Sequence, residues 1–197
     1  MIRRIGGEAV AAARRLLGMI ETLISNRTRV KLLLKFFLNG RSSGYLRGLE
    51  SEFGEGSNAI RVELNRLCDA GLLESYTEGN KRMYRADQSH PLYEDLARIV
   101  RKHIGLDRVL ATVVDRLGEL EAAYLAGSLS RGIDSSIIDL VLVGSLDRAY
   151  LTSVIARAEA LIERKVRYIV YTAEEVAAGA LAEFAPPPLL IYTRPTP

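Results

Sequence analysis

The chain has 197 residues, 48% of them hydrophobic and 26% charged, and this composition excludes a globally disordered protein. No apolar run approaches the roughly 20 residues needed to span a membrane. Charged residues near the start interrupt any signal-peptide-like stretch, so we expect a cytoplasmic protein with no membrane partner. The single cysteine and two well-separated histidines exclude a Cys- or His-based metal cluster, and we predict no cofactor.

Charge is distributed unevenly along the chain. Residues 1–103 carry 18 Lys and Arg against 12 Asp and Glu, a net charge of +6, whereas residues 104–197 carry a net charge of −3. A basic half joined to an acidic half suggests that the first half meets a polyanion and that the second half has a different task.

The N-terminal segment, residues 1–24, is predicted to contain a helix. Its stretch 8–24 has helix-forming composition, with apolar side chains roughly along one stripe. That stripe could contact a second copy of the chain or pack on its own domain, and the sequence leaves both alternatives open.

Three more helices are predicted before residue 71. The first buries an apolar stripe and leaves Arg29, Lys31 and Lys35 facing water. The turn Gly54-Glu55-Gly56 separates the second helix from the third. The predicted helices are 27–38, 45–53 and 57–70.

The third of these helices has an outward face rich in Asn and Arg, the side chains that hydrogen-bond base edges and phosphates. Two strand-like runs, 72–76 and 82–85, follow it and flank a Gly-Asn turn typical of a β-hairpin. Helix, helix, turn, helix and hairpin form the order of a winged helix-turn-helix. The residues predicted to contact DNA are Ser57, Asn58, Arg61, Asn65 and Arg66 on the helix and Asn80, Lys81 and Arg82 on the hairpin.

Residues 25–87 resemble the arsenic-repressor-like winged-helix regulators. The resemblance rests on Arg29-Val30-Lys31-Leu32-Leu33 and on Asn65-Arg66-Leu67-Cys68-Asp69-Ala70-Gly71-Leu72-Leu73, whose Ala-Gly-Leu-Leu exit leads into a short hairpin. It implies that the chain binds operator DNA as a homodimer. This sequence lacks the metal-sensing cysteines of some members, so the resemblance implies no metal response.

Beyond a helical connector, the pattern changes to alternating strands and helices. Short apolar, β-branched runs bounded by turn residues indicate buried strands. Thr172-Ala173-Glu174-Glu175 reads as a capping box that opens a last helix. The predicted strands are 122–126, 137–143, 166–171 and, at a sheet edge within a Pro-rich tail, 189–192.

A nucleotidyltransferase-like pattern opens this second half. It reads Ala126-Gly127-Ser128-Leu129-Ser130-Arg131-Gly132 and then Ile137-Ile138-Asp139-Leu140-Val141, and it resembles the minimal nucleotidyltransferase signature. In that signature Asp-x-Asp on the second strand holds paired Mg²⁺ ions. Here Ile137 stands at the first Asp position and Asp139 alone remains, a poor cage for two hard cations.

We therefore predict a degenerate domain with no catalytic residues and no metal ion. Gly127, Ser128 and Arg131 could still bind a phosphate or nucleotide without metal, because a glycine permits close backbone approach and the following helix offers free N–H groups.

These features together predict an α+β protein of two domains, a winged helix-turn-helix followed by a small α/β nucleotidyltransferase-like domain with a mixed sheet. The predicted boundaries are 1–24 for the N-terminal helix, 25–88 for the winged helix, 89–118 for the connector, 119–185 for the nucleotidyltransferase-like domain and 186–197 for the Pro-rich tail.

The predicted function is DNA-binding transcriptional regulation. The partners are double-stranded DNA and a second copy of the chain, and a nucleotide or small molecule is a candidate effector. Two alternatives stay open: an active nucleotidyltransferase targeted by the winged helix, and an interaction protein that binds no DNA.

Overall fold

The structure is a computed structural model that describes residues 24–117, 120–162 and 164–195. The described residues form two compact units, each with its own β-sheet. The first unit comprises residues 24–101 with 131–134, and the second comprises the remaining described residues. The predicted α+β fold class is confirmed, whereas the predicted N-terminal helix lies, apart from Ile24, outside the described residues.

The first unit contains the predicted helices and hairpin. Its three-stranded sheet has the order β1-β3-β2, with both pairings antiparallel. Helix α4 (Tyr93–His103) begins in the first unit, and its last two residues belong to the second. The elements are α1 (Arg27–Leu33), a π-helical segment (Leu34–Leu38), β1 (Ser43–Tyr45), α2 (Leu46–Phe53), α3 (Ser57–Asp69), β2 (Leu73–Glu78), β3 (Lys81–Ala86) and α4 (Tyr93–His103).

The prediction that three basic side chains of the first helix face water is wrong. Lys35 is buried, and its Nζ lies 2.9 Å from Glu52 Oε2. Arg29 and Lys31 are only half-exposed, and both are ion-paired. Every residue of the stretch 32–38, most of which is the π-helical segment, is buried, so this stretch lacks the solvent-facing side that the amphipathic pattern predicted for Lys35.

The predicted start of the second helix is also wrong by one residue. Tyr45 belongs to strand β1, which pairs with β3 through Gly44 and Tyr84 and through Tyr45 and Met83. A three-residue strand is too short to show a period-2 pattern, and its partner lies almost 40 residues later in the chain. Only the tertiary pairing defines it.

Two carboxylates fasten α1 to the turn and to α3. Glu63 on α3 is buried, and it accepts hydrogen bonds from Arg29 Nε at 2.6 Å, Arg66 Nη1 at 2.6 Å and Asn26 Nδ2 at 3.0 Å. Glu55, in the turn before α3, is ion-paired to Lys31 Nζ at 2.6 Å and accepts a hydrogen bond from Thr28. These bonds fix the start of α3 relative to α1.

Charge explains how a carboxylate can stay ionised in this position. Burial alone raises the pKa of Glu63, but the hydrogen bonds and positive charges of Arg29 and then Arg66 outweigh it and hold the pKa below its ordinary value. The pKa of Glu55 is likewise lowered, because Lys31 and Thr28 outweigh the effect of burial.

The second unit contains a four-stranded mixed sheet of order β6-β5-β4-β7. Strands β4 and β5 and strands β4 and β7 run antiparallel, whereas β5 and β6 run parallel. The mixed sheet and the edge strand in the Pro-rich segment are confirmed. The elements are α5 (Leu106–Leu117), β4 (Leu120–Ala126), α6 (Gly127–Ser130), β5 (Ile137–Gly144), α7 (Arg148–Ile162), β6 (Lys165–Tyr171), α8 (Ala173–Ala177), a 3₁₀ turn (Ala180–Glu183) and β7 (Leu189–Thr193).

The capping box predicted before the last helix is present. Thr172 Oγ1 accepts a hydrogen bond from the Glu175 backbone N–H at 3.2 Å, and Glu175 Oε2 accepts one from the Thr172 N–H at 2.8 Å. These two bonds satisfy backbone donors that a helix start leaves unpaired, which is why the motif is readable in sequence.

Replacing Glu63 by Gln should destabilise the protein by about 1–3 kcal/mol at neutral pH, because Arg29 and Arg66 lose a charged acceptor. The folded-state pKa of Glu63 lies below 4.5, so its contribution is present above the unfolded-state pKa and is lost as the pH falls through the folded-state pKa. Urea unfolding at a series of acid pH values should therefore show that the difference in the free energy of unfolding between the original protein and the variant becomes smaller below pH 4.5.

Glu74→Gln is the matched control. The Glu74 carboxylate also lies 2.6 Å from an arginine, Arg85, but both side chains are about half-exposed. Its loss should change stability by less than about 1 kcal/mol. A Glu63→Gln deficit that is equally small, or that does not vary with pH, would contradict the stabilising role assigned to the buried carboxylate.

Candidate nucleic-acid interface and the second-unit cleft

The predicted DNA-contacting face of α3 is solvent-exposed. Asn58, Arg61 and Asn65 are exposed, while Ser57 at the helix start is half-buried. Ile60, Leu64 and Leu67 on the other side are buried, so the predicted amphipathic division of this helix is confirmed. Val62, an apolar residue in the middle of the outward face, is 40% exposed.

The two arginines on α3 differ in what they contact. Arg66 donates a hydrogen bond to the buried carboxylate of Glu63, although its side chain stays 60% exposed. Among the described residues Arg61 has no ion-pair partner. Arg61 can therefore bind a ligand without breaking an internal bond, whereas Arg66 would have to keep or exchange the bond to Glu63.

The β2–β3 hairpin presents its predicted basic tip to solvent. Asn80, Lys81 and Arg82 are all exposed. Gly79 has a φ of +59°, a left-handed conformation that glycine adopts without steric cost, so the tight turn depends on it. Arg82 Nη2 donates a hydrogen bond to Ser75 Oγ at 3.0 Å, which holds this side chain along the hairpin.

A groove of about 550 Å³ runs beside the hairpin. Lys81 Nζ lies 4.4 Å from the ring centroid of Tyr45, and Arg82 Cζ lies 5.3 Å from that of Tyr84. Cation–π contacts of this kind hold long basic side chains over apolar surface. The lining residues are Tyr45, Leu46, Arg47, Asn80, Lys81, Arg82 and Tyr84.

Tyr45 and Arg47 are candidate contact residues that the sequence did not identify. They line the groove only because β1 pairs with β3 and brings the start of α2 next to the hairpin. No local pattern around Tyr45 carries this information. The sequence gives one indication for Arg47, a basic residue at the start of a predicted helix, and none for Tyr45.

In the second unit, Gly127 lies against Asp139. Gly127 follows β4 directly and begins α6 with a φ of +64°, and a Cβ atom at this position would overlap Asp139 Oδ2. Ser128 is half-buried, and Ser130 Oγ donates a hydrogen bond to the Gly127 carbonyl at 2.9 Å. The close approach of Gly127 to the Asp139 carboxylate gives the glycine of the sequence motif a steric reason.

Arg131 belongs to a different unit from the other two predicted phosphate-binding residues. It is exposed in the segment 131–134, which packs with the first unit, whereas Gly127 and Ser128 belong to the second. That Gly127, Ser128 and Arg131 bind a phosphate together therefore stays a prediction.

Asp139 is engaged by a cation of the protein itself. Asp139 on β5 and Arg167 on β6 are register partners in a parallel pair, and Arg167 Nε lies 2.6 Å from Asp139 Oδ1. This ion pair raises the pKa of Arg167 above its already high value, first through the hydrogen bond and then through the charge. Arg167 thus stays charged at every accessible pH.

The donor set around Asp139 does not fit a pair of divalent cations. Ile137, on the same face of β5, supplies no oxygen, and one Asp139 oxygen already faces the Arg167 guanidinium. No group of three or more His, Cys, Asp or Glu side chains within the described ranges could hold a metal ion. Mg²⁺ requires several oxygen ligands in near-octahedral geometry.

Comparison with known proteins adds no family assignment. No family model matches the chain, and no curated protein is significantly similar to it in sequence. None of the helices within residues 24–117, 120–162 and 164–195 combines the length and apolar character of a membrane span.

Replacing Gly127 by Ala should destabilise the protein by about 2–4 kcal/mol, since a left-handed backbone conformation costs about 1–2 kcal/mol for an L-residue and the new methyl group meets the Asp139 carboxylate. Urea unfolding measures the change. The double variant Gly127→Ala, Asp139→Ala should recover the steric part in a double-mutant cycle.

Gly79→Ala is the control for backbone strain alone. Its φ of +59° nearly equals that of Gly127, but a Cβ at this position meets nothing within 4 Å. It should cost about 1–2 kcal/mol. Equal losses for the two glycines, with no coupling between positions 127 and 139, would contradict a steric role for Gly127.

Proposed function

We propose that this protein is a DNA-binding transcriptional regulator whose first unit is a winged helix-turn-helix. The observation that carries the proposal is the exposed polar face of α3, with Asn58, Arg61 and Asn65 outward, together with the exposed basic tip of the β2–β3 hairpin. Asn and Arg side chains on a helix are suited to reading base edges in the major groove. Basic hairpin side chains are suited to phosphate contacts.

Support for a fixed orientation of α3 comes from the bonds behind it. Glu63 and Glu55 attach the helix and the preceding turn to α1, so the outward face is carried on a rigid support. A rigid element holds contacting side chains more precisely than a loop does. The electrostatic support is the net charge of +6 on residues 1–103.

We expect the protein to bind DNA as a homodimer. One recognition helix covers a single half-site, and two half-sites one helical turn apart give the contact area that specific binding usually requires. Two-fold symmetric operators would be the corresponding target. The contact between copies is not assigned to particular residues.

The second unit is proposed to regulate or support DNA binding rather than to transfer nucleotides. The favouring observations are the single signature carboxylate, Asp139, and its ion pair with Arg167. Mg²⁺-dependent nucleotide transfer that is abolished by Asp139→Ala would overturn this part of the proposal. That assay is independent of DNA binding.

The decisive experiment selects bound fragments from genomic DNA and then measures affinity for the best fragment over a salt series. Binding should weaken steeply as salt rises, because Lys and Arg displace counterions from the phosphates. Equal affinity for all fragments would mean electrostatic attraction alone. No binding at low salt would remove the DNA hypothesis.

Variants of the exposed face of α3 and of the hairpin tip should affect DNA binding in different ways. Arg61→Ala should weaken binding to the selected fragment by about 1–3 kcal/mol and relax specificity at one position, whereas Lys81→Gln should weaken all sequences alike and reduce the salt slope by about one. Fluorescence anisotropy measures both effects.

Arg98→Gln is the control for loss of a positive charge. Arg98 is an exposed cation on α4, paired to Asp95 at 3.3 Å, and lies outside α3 and the hairpin. It should leave the affinity nearly unchanged. Similar losses for Arg98→Gln and Arg61→Ala would show that the assay reports net charge and not the proposed surface.

A further inference from the structure

The second unit contains a cleft whose lining includes none of the residues proposed to contact DNA. Its volume is about 440 Å³, and most of its lining is apolar. Val141 and Ile169 are register partners on β5 and β6, and Phe184 and Pro186 come from the chain before β7. Ile169 is 42% exposed, a large apolar side chain open to a ligand.

One end of the cleft is polar and carries an ion pair. Asp139 and Arg167 stand beside each other there, on the same face of the sheet as Val141 and Ile169. The side chain of Asp139 is 21% exposed and that of Arg167 is 68% exposed. The carboxylate is therefore the inner partner, and the guanidinium faces the open cleft.

The ion pair leaves most of the guanidinium unused. Arg167 donates to Asp139 through Nε, and among the described residues it has no second acceptor. Arginine has five N–H donors in a fixed fork, so the Nη1 and Nη2 groups remain for a ligand. A planar fork of this kind matches a carboxylate, sulfonate or phosphate.

We propose that this cleft binds a small organic anion with an apolar body, and that it does so without a divalent metal ion. The anionic group bonds to the free edge of Arg167, and the apolar body lies against Ile169, Phe184 and Pro186. Asp139 holds the guanidinium in place from behind. A cation supplied by the protein, the Arg167 guanidinium, thus stands next to Asp139, where the intact Asp-x-Asp signature would hold Mg²⁺.

This arrangement discriminates among ligands by charge. A neutral molecule of the same shape gains only the apolar contacts, and an organic cation meets the positive guanidinium. Hydrogen bonds to a charged group are worth about ten- to a hundredfold in affinity. A cleft of a few hundred cubic ångströms is within the usual size range for small-molecule sites.

The test compares two fluorescent probes of nearly the same shape on the full-length protein. The anionic probe is 8-anilino-1-naphthalenesulfonate, and the neutral probe is N-phenyl-1-naphthylamine, which lacks the sulfonate. Titrations with a chelator present should show saturable binding of one anionic probe per chain, at least about tenfold tighter than that of the neutral probe. Added Mg²⁺ should not strengthen it.

Variants identify where the probe binds. Arg167→Gln should weaken binding of the anionic probe by about tenfold while leaving the neutral probe nearly unchanged. Phe184→Ala should weaken both probes. Lys165→Gln is the matched control, because Lys165 is an exposed cation two residues earlier on β6, paired to Glu159 and outside the lining of the cleft.

Three outcomes would overturn the proposal. They are equal affinity for the two probes, no selective effect of Arg167→Gln in a variant whose thermal unfolding is unchanged, and anion binding that appears only when Mg²⁺ is added. Binding in many weak copies per chain would show general adsorption to apolar surface and would count against the site as well. All of these readouts are independent of whether the first unit binds DNA.

Discussion

The buried carboxylate of Glu63 is the constraint on which the organisation of the first unit depends. A carboxylate that loses water must recover its solvation from the protein, and here Arg29, Arg66 and Asn26 supply it. Two of these donors lie at the start of α1 and the third on α3 itself. The requirement to satisfy one charge therefore orients α1 and α3 together, and the outward face of α3 follows from that orientation.

In the second unit, too, a carboxylate is balanced by an arginine. Asp139 is retained on β5 while its neighbour two residues earlier is Ile137, so the strand has one carboxylate on this face and not two. The charge that balances it comes from Arg167, which the parallel pairing of β5 and β6 places directly alongside. The same strand geometry that would gather metal ligands gathers an internal ion pair here.

Many elements could be predicted from the sequence because their signals are local. The apolar stripe of α3, the Gly-Asn turn of the hairpin and the capping box at Thr172 each lie within a few residues and reflect backbone and side-chain preferences that act at short range. The π-helical segment and β1 could not be predicted, because the first alters helical rotation without a sequence marker and the second depends on a distant partner. The burial of Lys35 could not be predicted either, because it depends on the packing of the whole stretch 32–38 against the rest of the fold.

The sequence by itself determined which residue types stand at the exposed face of α3 and at the hairpin tip, and it determined that Asp139 is preceded two residues earlier by Ile137 and not by a second carboxylate. Periodicity and turn chemistry carry that information along the chain. Only the tertiary structure decided that Lys35 pairs with Glu52 and that Arg167 pairs with Asp139, because each of these pairs joins two different elements. Glu63 and Arg66 are three residues apart on one helix, so their spacing already brings them together, whereas the burial of Glu63 and its second ion pair, with Arg29, are set by folding in space.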